Sequence, residues 1–360
     1  MNFRIVKNMI LGLFVSILIG TVLMISVYSL PLESIRANVR ASMSFIAQTG
    51  DRIGGIAGDI CLLNATHKKS DSVINDAMWN PRMNYNKGQF ENLATALDDS
   101  SKEVGHVINY SRYWHGYLTY LKPLLMFMTF EDFTKLNFLL EFILFVAVIL
   151  KIYEKLGKLY SFAFTLIIFM WKPVILISCH ELACVYYITL ITILIMLSNN
   201  DKLNFDGKYY YLFMFNGIAV AFFDFLTYPM AALGIPTIFY LLLNENKFDL
   251  RQKIFNMIKL AFSWGFGYVG MWAGKWCAAS LLTDHNTIAE AFGSILWRLK
   301  GDYHEIIPVP PPNTWFSPIV RCIQFDNSML ATIFMLIIFM AFYLILAEKW
   351  RFNFKNLNLM

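Results

Sequence analysis

Asp59 stands on a glycine-flanked bend, Gly58-Asp59-Ile60-Cys61. A carboxylate placed there could take the proton of an attacking hydroxyl or help hold a cation. It could equally cap a helix, since Asp favours that position. The run Tyr113-Trp114-His115-Gly116-Tyr117 sets an ionisable ring among aromatic faces. Such faces stack on sugar rings, and they also populate the aromatic belts of membrane interfaces. Asp224 sits among aromatics in Phe223-Asp224-Phe225. A carboxylate so desolvated needs a partner or a raised pKa. Lys275, in Trp272-Ala273-Gly274-Lys275-Trp276, could hold a phosphate at a membrane surface, or snorkel within an aromatic belt. Arg298, in Trp297-Arg298, offers a guanidinium suited to bidentate phosphate contact. Lys172-Pro173 with His180-Glu181 reads more readily as an internal ion pair than as a catalyst.

Soluble-enzyme signatures are missing: the chain has no P-loop, GxSxG, HExxH or DxD. Without DxD, a cytoplasmic nucleotide-sugar donor is not expected. The five cysteines form no CxxC pair and no metal spacing, and read as small apolar packing residues.

These side chains need elements to carry them, and composition says which. Of 360 residues, 57% are hydrophobic and 15% charged, against about 25% charged in soluble domains. Mean hydropathy is +0.50. The chain therefore reads as an all-α, polytopic membrane helix bundle, one integral membrane domain over residues 1–360. Apolar runs fall near 9–28, 137–150, 159–176, 179–198, 209–227, 231–243, 255–274 and 329–347, about eight spans. The net charge of +5 comes without a basic block, so no nucleic-acid partner is expected.

Positive residues in short loops orient the bundle. Arg4, Lys7, Lys155, Lys202, Lys247 and Lys349 share one side if both termini are cytoplasmic. Two long outer loops follow, 29–136 and 275–328. Tyr117–Thr129 is short and carries Lys122-Pro123, so it reads as an interfacial helix. The first loop is expected to hold helices rather than strands, over Ile35–Gln48, Glu91–Ile108 and Tyr113–Met128.

This layout resembles the GT-C superfamily of polytopic membrane glycosyltransferases. Its order is a first span, an acid early in a long outer loop, surface helices, then the second span. Ser111-Arg112-Tyr113-Trp114-His115-Gly116-Tyr117, Phe223-Asp224-Phe225-Leu226-Thr227 and Trp272-Ala273-Gly274-Lys275-Trp276 also resemble uncharacterised bacterial membrane proteins near that superfamily. The resemblance implies transfer of sugar from a polyprenyl-phosphate donor to a glycan or lipid acceptor of the cell envelope. The setting would be the exoplasmic face of a bacterial inner membrane, among membrane lipids. Asp59 would be the general base, with His115 beside it. Tyr113, Trp114 and Asp224 would bind or orient substrate, and Lys275 and Arg298 would meet phosphate. No cofactor is demanded by the residues; the resemblance leaves room for a divalent cation, Mg2+ or Mn2+. The chain departs from the superfamily in having few spans and no doubled acidic motif. Alternative readings are a lipid-linked polysaccharide polymerase or ligase, a flippase or transporter, and a non-catalytic membrane subunit.

Overall fold

The computed structural model describes residues 3–49, 58–170, 180–224 and 228–300. The chain divides into a larger unit, Met1–Phe162 with Lys172–Ser294, and a smaller one, Ala163–Trp171 with Ile295–Met360. In the smaller unit the described residues are the helix ends 163–170 and 295–300. The expected span at 329–347 lies outside the described residues, as do Lys172 and the side chains of Asp59, His180, Glu181 and Arg298.

The chain is mostly helical. α1 (Phe3–Ser29) leads into a segment holding α2 (Glu33–Ala41), α3 (Met43–Thr49), α4 (Gly58–Thr66), α5 (Val73–Trp79), α6 (Gln89–Leu97) and α7 (Leu118–Leu125). Long helices follow: α8 (Phe130–Leu156), α9 (Lys158–Met170), α10 (His180–Asn204), α11 (Lys208–Phe223), α12 (Met230–Leu243) and α13 (Leu250–Leu282), then α14 (Thr287–Lys300). Three of the described helices, α1, α8 and the Ala183–Asn204 stretch of α10, are long and apolar enough to cross a membrane. α11 and α12, at 16 and 14 residues, fall short of the ~17–25 residues a crossing takes.

Sequence dictates where these helices start and stop. The Thr129 side chain accepts the Asp132 N–H at the head of α8, and Gly157, at φ +91°, ends it. Asp249 and Gln252 form a reciprocal capping box at the head of α13. α1 shows why a span can be apolar all round and still dock. Ile10, Phe14, Leu18 and Val22 form an exposed stripe at helical spacing, the environment lipid supplies. Met9, Met24 and Val27 are buried on the other face.

The 30–129 segment departs from expectation in three places. It contains a two-stranded antiparallel ribbon, β1 (Arg82–Asn84) with β2 (His106–Ile108), in register Arg82↔Ile108 and Asn84↔His106. The helix expected over Glu91–Ile108 therefore stops at Leu97, where Asp98 takes extended backbone. The helix expected over Ile35–Gln48 divides at Ser42, whose hydroxyl accepts the Phe130 N–H and so joins the break to the head of α8. The helix expected from Tyr113 begins only at Leu118. Arg36 holds the segment together: its guanidinium reaches the carbonyls of Thr66 and Ala96 and the carboxylate of Asp99.

Candidate functional site

The Tyr113–Tyr117 run is non-helical because its backbone is committed elsewhere. His115 sits in the left-handed region at φ +53°, uncommon for a residue with a Cβ and a frequent mark of functional or docking sites. Gly116 donates its N–H to Phe222 O at 2.8 Å. A Cβ on Gly116 would stand 2.4 Å from that oxygen and from the Phe222 ring, so only glycine permits the approach. Trp114 is fully buried and its indole N–H donates to Met271 O at 2.8 Å. In return, the indole of Trp276 donates to Arg112 O at 3.0 Å. The run is thereby clamped between the end of α11 and the middle of α13.

This clamp gathers several of the residues singled out by chemistry. Tyr113 meets the Trp272 ring edge-on at 5.7 Å, and both are half-buried. Trp272 belongs to a ladder along one face of α13, in which Trp264, Tyr268, Trp272 and Trp276 contact one another at 4.8 to 6.1 Å. Their spacing of four residues is what puts them in line. His115 is buried, with Nδ1 2.8 Å from the Tyr117 hydroxyl and the rings of Tyr110 and Tyr113 packed edgewise on it. Burial holds its imidazole well below the ordinary histidine pKa, and the charges of Lys275 and Arg82 push the same way. His115 is therefore neutral at pH 7. Asp224, buried at the end of α11, lies within electrostatic range of Tyr228 and Tyr268.

Lys275 is fully buried. Its ammonium donates to Ala77 O at 3.1 Å and lies 5.3 Å from the Trp114 ring centroid. The bond has a local cause. In a helix the carbonyl of Ala77 would receive the N–H of residue 81, and residue 81 is proline. Lys275 supplies the missing donor and places a cation at the C-terminal end of α5, where the helix dipole favours it. Its observed partners are thus internal. Trp114 is likewise committed to Lys275 and Met271, which leaves the half-buried Tyr113 and Trp272 as the aromatic faces beside the site.

Asp59 lies in α4, which packs against α2, α6, α7 and β1, whereas Lys275 belongs to the α5–α13 contact. With the Asp59 side chain outside those described, its approach to the Tyr113–His115 cluster is not part of the geometry. Arg298 lies in the smaller unit and is equally outside it.

Two arginines flank the aromatic cluster and were not singled out from sequence. Arg82 lies over the Tyr110 ring at 4.6 Å and donates to that residue's hydroxyl. Arg112 lies 5.9 Å from the Tyr113 ring centroid and pairs with Glu290 at 3.2 Å. The distance of Arg82 from the motif in sequence hid it; only the β1–β2 ribbon brings it beside Tyr110. Glu141 was also passed over, although a lone acid in Leu139-Leu140-Glu141-Phe142 is a plain intramembrane signal. It is buried in α8 and accepts from Asn137, which in turn accepts from the Tyr187 hydroxyl.

Among the described residues, no group of three or more His, Cys, Asp or Glu side chains converges as a metal site. Chemically, the cluster offers flat apolar faces, two guanidinium groups and a neutral imidazole, a set that suits a sugar carrying a phosphate. Comparison with protein-family models, with curated proteins and with solved structures finds no match.

Proposed function

We propose that this chain is a membrane glycosyltransferase that moves a sugar from a polyprenyl-phosphate donor to a cell-envelope acceptor on the exoplasmic side of a bacterial inner membrane. One observation carries the reading. A half-buried aromatic pair, Tyr113 and Trp272, lies with Arg112 and His115 in a bundle whose helices have lipid-like flanks. A lipid-borne sugar phosphate needs that combination: a sugar platform with cations beside it, in a body bounded by lipid. The bundle would contain about eight spans, both termini cytoplasmic.

In this reading the sugar rests on Tyr113 and Trp272. Arg112 and Arg82 neutralise charge gathering on the phosphate as it leaves. The acceptor hydroxyl attacks the anomeric carbon, the bond from that carbon to phosphate oxygen breaks, and polyprenyl phosphate departs with the electron pair. The hydroxyl proton passes to Asp59. Displacement from the opposite face inverts the anomeric carbon. His115, neutral and bonded to Tyr117, orients the aromatic wall. Lys275 positions α5 and Trp114.

The test is transfer of labelled sugar from polyprenyl-phosphate donors in membranes containing Asp59→Asn, Arg112→Gln or wild-type protein. Asp59→Asn is expected to lower the rate by about 10²-fold or more. Arg112→Gln is expected to raise the donor KM. Full activity in Asp59→Asn would end the mechanism. The convergence of Arg82, Arg112 and His115 favours a second reading, a lipid-linked polysaccharide polymerase or ligase. Products extended by many units, rather than by one sugar, would select it.

A further inference from the structure

A second group of polar side chains adjoins the aromatic pair, at the corner between α13 and α14. Glu290 and Ser294, four residues apart, share one face of α14. The Ser111-Arg112 end of the aromatic motif meets that face. Ser111 donates its hydroxyl to Glu290 Oε2, while Arg112 pairs with Glu290 Oε1 at 3.2 Å and donates to the Ser294 hydroxyl. His285 Nε2 lies 2.9 Å from the same Oε2.

The turn beneath His285 is firmly built. Trp79 donates its indole N–H to Thr283 Oγ1 at 3.1 Å, and the His285 N–H donates to that oxygen at 3.3 Å. The Thr287 N–H closes on His285 O at 2.9 Å, and Asn286 caps α14 by accepting the Ala289 N–H. The backbone of His285 is thus fixed while its side chain stays 47% exposed.

The partners assign the hydrogens. A carboxylate that faces a guanidinium is an acceptor, so Glu290 Oε2 receives a hydrogen from His285 Nε2. The neutral ring then carries its lone pair on Nδ1. Nδ1 makes no hydrogen bond among the described residues. Glu290, 28% exposed, has Ser111, Arg112 and His285 on a group with about four lone-pair sites. The open positions are therefore acceptors, and they call for a ligand that donates. Hydroxyls do so; a second anion would meet the Glu290 charge. An apolar face stands beside them. Trp276 ends the α13 ladder, packs on Phe292 of α14 at 6.3 Å, and has its N–H committed to Arg112 O. A half-buried ring next to hydroxyl acceptors suits the C–H face of a sugar.

We propose that Trp276, His285 and Glu290 form a subsite for a neutral saccharide. His285 Nδ1 and Glu290 accept its hydroxyls, and the Trp276 ring covers its C–H face. Arg112 touches both this group and Tyr113, so a sugar held here adjoins one held on Tyr113 and Trp272. In the sugar-transfer reading, on which this role rests, the occupant is the acceptor, and its class is a neutral glycan. Saccharide binding itself does not depend on that reading.

The test uses the full chain in phosphatidylcholine nanodiscs. Methyl hexosides and methyl pentosides, with methyl glucuronide as the anionic member, are titrated by saturation-transfer difference NMR. Transfer of labelled sugar from polyprenyl-phosphate donors is measured on the same preparations. The variants are His285→Ala, His285→Gln and, as a control, His106→Ala, which alters an exposed histidine of β2. A neutral glycoside is expected to bind saturably, and methyl glucuronide about tenfold more weakly. His285→Ala is expected to weaken the neutral glycoside about fivefold, the worth of one hydrogen bond. His285→Gln, whose amide can donate to Glu290 and accept from a hydroxyl, is expected to recover most of that loss. No saturable binding, equal binding of the glucuronide, or wild-type affinity in His285→Ala overturns the subsite. An equal loss in His106→Ala, or a loss that Gln does not relieve, overturns it too. Binding without transfer ends the sugar-transfer reading and leaves the subsite. Transfer with unaltered binding in His285→Ala ends the subsite and leaves that reading.

Discussion

His115 concentrates the conflict between folding and chemistry in one side chain. Its backbone is left-handed, its ring is enclosed by Tyr110, Tyr113 and Tyr117, and nearby cations oppose its protonation. His67 is also shifted down, chiefly by burial, which outweighs the opposing charge of Asp76. An unfolded histidine titrates near 6.5. Below that pH the unfolded chain takes up protons that the folded chain resists, so the unfolded state gains. Stability present above pH 6.5 is lost as the pH falls. The apparent melting temperature of the purified protein is expected to drop between about pH 7 and pH 5.5, and His115→Gln to flatten part of that drop. An unchanged pH slope in His115→Gln would show that this ring is not among the groups responsible. The motif around it was legible as a unit because aromatics, histidine and glycine stand together. Its backbone role was not legible, since Phe222 and Met271, which receive the bonds, lie more than a hundred residues away in the chain.

At the scale of elements, the contact that fixes the site is the crossing of α11 with α13. A Cβ on Gly217 would stand 2.2 Å from Trp264 O, and one on Gly267 would stand 2.1 Å from Met214 O. Each helix thus offers a glycine to the backbone of the other, the close approach that small residues permit between membrane helices. Trp264 seals the crossing by donating to Asn216 at 2.9 Å. Gly265, two positions from Gly267, has nothing within 4 Å of its would-be Cβ. Alanine should therefore separate packing from helix propensity. Gly267→Ala is expected to destabilise by about 1–3 kcal/mol through overpacking. Gly265→Ala is expected to be neutral or to stabilise by up to about 1 kcal/mol. Melting temperatures of the two variants check this, and equal responses would mean that the crossing is not close-packed. Apolarity alone was enough to read α1, α8 and α10 from sequence. It said nothing of which face met which, and the alternation of glycine with tryptophan in 264–276 held that information. The β1–β2 ribbon was missed for another reason: its strands are three residues long, too short to show alternation.

For the whole molecule, the distribution of charge and the lipid-like flanks argue for one orientation. Lys155 lies in the last turn of α8, and Lys247 pairs with Asp201 at the end of α10. Electrostatic coupling of Lys155 to Asp201 puts these two helix ends together. Arg4 and Lys208, lining one cavity, belong to the same end of the bundle. At the Ser29 end the cations Arg36, Arg40 and Lys68 are instead gathered on Asp99. Arg4, Lys155, Lys208 and Lys247 thus share the Arg4 end, which the proposed topology puts on the cytoplasmic side. α8 joins the two regions: it starts at Phe130, directly after the 30–129 segment, and ends beside Lys155 after 27 residues, long enough at about 40 Å to cross a hydrocarbon core of about 30 Å. Lys102 and Lys155 must then face opposite compartments. In a cysteine-free background, Lys102→Cys is expected to react with a membrane-impermeant maleimide on intact cells. Lys155→Cys should react only after permeabilisation. If both react in intact cells, α8 does not cross. The aromatic cluster and the Arg4 cavity would then open to one compartment, and an exoplasmic sugar transfer fed from the outer leaflet would lose its physical basis.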